Sequence, residues 1–144
     1  MKLSTRTRYG IRAMVELATS YGEGPLQSRV IAERQDISAK YLEQLIGILR
    51  TGGFVRSIRG SKGGYVLAKP PNEIKLSELF NSLEGPVITT ECLVGDASCT
   101  RASDCVTRQL WSQVQDAVVG ILESITLQDM VDKVQKNRGL YYQI

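Results

Sequence analysis

Ile37-Ser38-Ala39-Lys40-Tyr41-Leu42-Glu43-Gln44-Leu45-Ile46-Gly47-Ile48-Leu49-Arg50-Thr51 is the stretch on which the fold turns. Leu42, Leu45, Ile46 and Leu49 recur at the steps of an apolar stripe on one helical face. Ser38 stands where a helix needs a side-chain acceptor for its unpaired first amides. Lys40, Glu43, Gln44 and Gly47 fall on the other face and would turn a polar surface outward. Just upstream, Ser28 to Gln35 has a short helical register through Val30, Ile31 and Arg34, and Asp36-Ile37 leaves room only for a tight turn. Two helices joined this closely, the second polar on its outer face, outline a helix-turn-helix.

Outward from that unit, Ser4 to Tyr21 reads as a helix through Ile11, Met14, Val15 and Ala18, with Ser4 or Thr5 as cap and Gly22 and Gly24-Pro25 as its stop. On the other side, Phe54–Arg59 and Gly64–Ala68 are β-prone and flank Gly60-Ser61-Lys62-Gly63, which predicts a hairpin. Pro70-Pro71-Asn72 breaks the chain, and Leu76, Leu79, Phe80 and Leu83 mark a fourth helix ended by Gly85-Pro86. From Val87 to Asp104 the periodicity lapses. A long helix then runs from about Cys105 to Ser124, with an apolar seam of Leu110, Val114, Ala117, Val118, Ile121 and Ile125. Thr126-Leu127-Gln128-Asp129 has the form of a capping box opening one last short helix.

The expected class is mostly α with a small β-hairpin: a winged helix-turn-helix domain plus a long dimerisation helix. The expected divisions are 1–84 for the DNA-binding domain with its following helix, 85–104 for a cysteine-containing loop, and 105–144 for the dimerisation helix and a C-terminal helix or tail. A long seam outside the first half calls for a partner, and a second copy would match a palindromic operator.

Charge is unevenly placed. Residues 1–68 hold 11 Lys/Arg against 5 Asp/Glu, and residues 69–144 hold 7 against 10, so +6 and −3 sum to the net +3. A basic first half suits a polyanion. No stretch approaches the roughly 18 apolar residues of a membrane span, and no apolar signal core follows the charged start, so a cytoplasmic protein is expected. The 144 residues include no histidine, which removes imidazole from catalysis and from any ligand set. No nucleotide motif is present either, since Gly60 to Gly64 lacks the spacing and Lys-Ser/Thr ending of a phosphate loop. An enzyme is not expected.

On the polar face of the third helix, Gln44 can pair with adenine, Lys40 can reach guanine or phosphate, and Glu43 can accept from the amino group of cytosine. Glu43 otherwise repels DNA and so penalises sites that leave it unpaired. At the hairpin tip, Arg59 suits a narrow minor groove, while Gly60 and Lys62 suit close phosphate contact. Arg6, Arg8, Arg56 and Tyr41 are candidate backbone contacts. Six residues separate Cys92 from Cys99 and five separate Cys99 from Cys105, in a chain expected to keep its thiols reduced. Soft thiolates so close together suit iron, zinc completed by another donor, or no metal at all. Cys105, at a helix start, is expected to have a lowered pKa.

Taken together, Met1-Lys2-Leu3-Ser4 through Tyr9, Ile37 through Leu45, Val55 through Arg59-Gly60, Gly63-Gly64-Tyr65, the three-cysteine loop, Leu110-Trp111 and Ile125-Thr126-Leu127 resemble the IscR-type winged-helix regulators of iron–sulfur cluster biogenesis. The resemblance spans nearly the whole chain in order. It implies a homodimer that binds double-stranded DNA at a palindromic operator, as repressor or activator, with cluster-assembly proteins as a further partner. It also implies an iron–sulfur cluster on Cys92, Cys99 and Cys105, 2Fe–2S ahead of 4Fe–4S, and a role for Glu43 in separating two classes of site. The chain departs from the pattern where a ligating histidine would follow the last cysteine: that position is Arg108, which cannot coordinate. The first cysteine gap is also one residue longer than usual. A fourth ligand would have to come from elsewhere, with Glu91, Asp96 and Asp104 as candidates. Related 4Fe–4S regulators responsive to nitric oxide or iron, and a regulator whose cysteines have no function, are the alternatives.

Overall fold

Ser4 and Ser38 begin two helices in the same way. Each holds an extended backbone while its hydroxyl accepts from an amide of the first turn, Thr7 N–H and Tyr41 N–H, both at 3.1 Å. The computed structural model describes residues 2–95, 99–101 and 103–142. Helix α1 is Thr5–Thr19, α2 is Ser28–Gln35 and α3 is Ala39–Thr51. Between α2 and α3, Asp36 takes a left-handed backbone (φ 53°) that turns the chain within three residues.

Strands β1 (Val55–Ile58) and β2 (Gly64–Leu67) pair antiparallel from Val55↔Leu67 to Ile58↔Gly64. The tip closes through Gly63 N–H to the Gly60 carbonyl. A Cβ at Gly63 would lie 2.1 Å from the Ile58 carbonyl oxygen, and one at Gly64 would lie 2.6 Å from that of Leu26. The second closeness has a purpose. Tyr65 exchanges two backbone hydrogen bonds with Leu26 (2.9 and 3.0 Å), tying the hairpin to the connection between α1 and α2.

Met14, Leu17, Ile31, Leu42, Ile46, Leu49, Val55, Leu67, Leu79 and Leu83 share one core, with α4 (Leu76–Leu83) closing it. Burying each large side chain is worth about 1.5–3 kcal/mol. The stripe read from α3 is therefore the centre of the domain.

Two differences from the sequence reading concern the C-terminal third. The last helix, α6 (Leu127–Tyr142), has 16 residues and is not short. Its capping box is present: Thr126 N–H donates to Asp129 Oδ2 and Asp129 N–H to Thr126 Oγ1. Leu127 and Val131, one turn apart, enter the same core as Met14 and Leu17, so α6 docks on α1 of the first half. The expected loop also contains a 3-10 turn at Glu91–Leu93.

Helix α5 (Val106–Ser124) packs on α4 and on that 3-10 turn. Its C-terminal end is sewn to the segment before α4 by backbone bonds, Leu76 N–H to Ile125 O (2.9 Å) and Leu127 N–H to Ile74 O (2.8 Å). Nearer its N-terminus the ties to the preceding strap are side-chain ones. Gln115 Oε1 accepts from Thr89 N–H, and the Trp111 carbonyl accepts from the Thr89 hydroxyl. Among the described residues, no helix is long and apolar enough to cross a membrane.

Candidate nucleic-acid interface and cysteine loop

The first turns of α3 place Lys40, Glu43 and Gln44 in solvent on one face, because Leu42, Leu45 and Ile46 are consumed by the core on the other. Tyr41 is half-buried. Its ring meets Tyr9 edge-on at 6.3 Å, and the Arg12 guanidinium lies 5.0 Å from the Tyr9 ring centre. Arg12 in turn donates to Gln35, which donates to Glu16, so α1, α2 and the start of α3 are held in a fixed relation. A fixed relation of this kind is what a helix-turn-helix depends on.

Arg56, Arg59, Gly60 and Lys62 are all exposed on the hairpin, and Arg8 is exposed on α1. Gly60 has φ 116°, a backbone that favours glycine and shapes the tip carrying Arg59 and Lys62. The exposed polar face of α3 and the basic hairpin tip thus belong to one packed domain.

Two groups escaped the sequence reading as functional parts. The Tyr65 hydroxyl donates to Glu43 Oε2 at 2.9 Å, joining hairpin and recognition helix. Burial and that carboxylate both push the Tyr65 phenol above its ordinary pKa. The second group is Glu84, at the end of α4. It accepts from the Ser4 hydroxyl and amide and from the hydroxyl of fully buried Thr7. The Ser4 hydroxyl leads the Thr7 hydroxyl in holding its carboxyl below the usual glutamate range. A buried threonine in an otherwise apolar helical register was the signal for the second. Nothing in the spacing announced the first.

Cys92 and Cys105 sit beside the start of α5. Cys92 lies half-buried on the 3-10 turn, sharing a hydrogen bond with the Thr90 hydroxyl at 3.0 Å. Cys105 is the half-buried N-cap of α5, and Cys99 is exposed. The Thr107 hydroxyl, followed by the Arg108 amide, lowers the Cys105 thiol below its ordinary pKa, as expected of a helix start. Arg108 Nε donates to the Cys92 carbonyl oxygen (3.3 Å), bracing the strap against α5. All three thiols are free, and among the described residues no three metal-ligating side chains converge on one point. Of the candidate fourth ligands, Glu91 and Asp104 are exposed, while Asp96 lies outside the described residues.

Residues 3–133 match the Rrf2 family, described as an iron-dependent transcriptional regulator. The chain is 40% identical over 141 residues to the HTH-type transcriptional regulator CymR of Bacillus subtilis, covering 98% of this chain and 97% of that one. The solved structure of that global cysteine regulator superposes with a TM-score of 0.81 at 41% identity, over 92% of this chain and 98% of the other. IscR of Photorhabdus laumondii is 39% identical over 132 residues, 92% of this chain and 80% of that one. The solved IscR of T. potens superposes at TM-score 0.78 with 41% identity, over 95% and 90% of the two chains. Similarity to CymR and to IscR is thus nearly equal and does not single out the iron–sulfur branch. These relatives are regulators rather than enzymes, as the lack of any catalytic constellation led us to expect, and regulators of this kind bind DNA and are generally dimeric. The chain belongs to the Rrf2 family of winged-helix, DNA-binding transcription regulators.

Proposed function

We propose that this regulator works as a homodimer joined through α5, reads a palindromic operator with α3 and the hairpin, and holds an iron–sulfur cluster on Cys92, Cys99 and Cys105. In this reading residues 1–84 read DNA, 85–104 sense, and α5 within 105–144 pairs the subunits. Lys40, Glu43 and Gln44 face base edges, while Arg59, Gly60 and Lys62 meet the minor groove and phosphates, with Arg8, Arg56 and Tyr41 on the backbone. Glu43 accepts from a cytosine amino group and penalises sites that lack one, a discrimination of ~1–3 kcal/mol at one base position. The apolar face of α5 supports the pairing: Val106 is 76% exposed, Ile121 60% and Leu110 49%.

The observation that carries the sensing role is that every cysteine of the chain, all free, falls within residues 92–105, the segment that leads into that helix. The donor set is chemically suited to iron, since three thiolates are soft ligands and the pKa of one, Cys105, is lowered by the Thr107 hydroxyl. When bound, a cluster would supply a redox- and iron-sensitive link between the loop and α5. Arg108 does not join the ligands, being charged and committed to the Cys92 carbonyl. Three protein thiolates are the full set for a 4Fe–4S cluster with one open iron, whereas a 2Fe–2S cluster needs a fourth donor. A second reading, cluster-free thiols in a regulator controlled otherwise, is favoured by that same Arg108 brace and by the likeness to CymR.

Protein purified without oxygen should absorb in the visible region and carry stoichiometric iron and sulfide. Alanine at any one of the three cysteines should abolish the absorbance, and Arg108→Ala should keep it. Colourless protein with zinc, or with no metal, would sink the cluster reading and leave DNA binding untouched.

A further inference from the structure

Glu43 is long, exposed and flexible, and a carboxylate that discriminates bases must be held still. Three unbranched torsions would otherwise spread it over many positions. The structure supplies the restraint from the hairpin. The backbone of Tyr65 is fixed by its two hydrogen bonds to Leu26, which the absence of a side chain at Gly64 permits. From that fixed point the phenol crosses to α3 and donates to Glu43 Oε2 at 2.9 Å. Among the described residues, Oε1 carries no hydrogen bond and remains to accept from a ligand. Beside the pair lies an open cleft of about 350 Å³, bounded by Arg29, Glu43, Ser57 and Tyr65. A carboxylate released by the phenol has room to swing into that cleft.

We propose that Tyr65 is a positioning residue for operator selection: its hydroxyl holds Oε2 of Glu43 so that Oε1 faces the base edge, making the hairpin part of the base-reading apparatus. This rests on the reading of Glu43 as a base contact.

The test is a binding selection on a randomised palindrome with four proteins: wild type, Glu43→Ala, Tyr65→Phe and the double variant. Phenylalanine keeps the half-buried ring, and a thermal melt checks the fold. Tyr65→Phe should weaken discrimination at the same base pair that Glu43→Ala affects, by about two- to tenfold, the range of a single hydrogen bond. The double variant should then match Glu43→Ala alone. Full discrimination in Tyr65→Phe beside its loss in Glu43→Ala overturns the inference and spares the base contact. Unchanged discrimination in Glu43→Ala overturns both. A second measurement needs no DNA: in carbon-labelled tyrosine spectra, Tyr65 should ionise at lower pH in Glu43→Ala than in wild type. An unmoved titration would show that the hydroxyl does not hold the carboxylate.

Discussion

Helices α3 and α5 are both amphipathic, yet they spend their apolar residues in opposite ways. α3, with 13 residues, puts Leu42, Leu45, Ile46 and Leu49 at 0–1% exposure. α5, with 19 residues, has no buried residue among its own. Periodicity is the same kind of signal in both; the location of the partner differs. α3 finds its partners in α1, α2 and α4, whereas among the described residues α5 packs chiefly on α4 and a 3-10 turn. A stripe thus says that a helix has an inside, and only the packed structure says whether this chain supplies it.

The comparison breaks first on stability. Leu45→Ala should cost ~2–5 kcal/mol by chemical denaturation, since a cavity opens in a closed core. Ile121→Ala should cost far less in the subunit fold, and an equal loss would show that α5 is as integral as α3. Next in size is association: glutamate at both Val114 and Ile121 should give a monomer in sedimentation. Its operator affinity should fall by about 100-fold, as the two half-sites lose their link. A double variant that stays dimeric moves the interface elsewhere.

Much of this was legible beforehand because local chemistry set it. Ser4 and Ser38 as caps, the α3 stripe, the Gly60–Gly64 tip and the Thr126–Asp129 box all depend on neighbours within a few residues. The length of α6 was missed because Leu127 and Val131 find their partners on α1, more than a hundred residues away, and their own spacing is too sparse to compel a helix. Separation along the chain, 22 and 77 residues, likewise hid the Tyr65–Glu43 and Thr7–Glu84 contacts. The candidate DNA contacts could be proposed from residue type and spacing, but the ties that join the polar face of α3 to the basic hairpin emerged only from the Tyr65–Leu26 bonds, the Tyr65–Glu43 bond and the Tyr9–Tyr41 packing.

Smaller effects sharpen the same contrast. Arg59→Ala should weaken operator binding by about tenfold without lowering the melting temperature. The log–log salt slope should fall by about 1 as one phosphate contact is lost. Equal affinity at two salt concentrations would remove the hairpin from the interface. Smallest is Glu84→Gln, read in acid. The Glu84 carboxyl titrates lower folded than unfolded, so its stabilisation is complete above about pH 4.3 and fades as pH falls through the lowered folded value. The glutamine variant should show a shallower loss of stability over that acid range. Parallel acid limbs would mean that the Ser4 and Thr7 hydroxyls do not hold the anion.

The seam of backbone bonds at Ile125 makes α5 a lever with a known fulcrum. Nineteen residues at ~1.5 Å each give an arm of about 28 Å, with the joint at Ser124–Leu127 and Cys105 at the far tip. A swing of about 5° at the joint carries the tip through roughly 2.5 Å. Run backwards, a shift of that size among the cysteines reaches the core as only a few tenths of an ångström at the first turn beyond the joint. In the proposed dimer, leverage of this kind would let the cysteine end travel while α1–α4 keep their packing, and such travel would add up at the two-fold axis between paired arms.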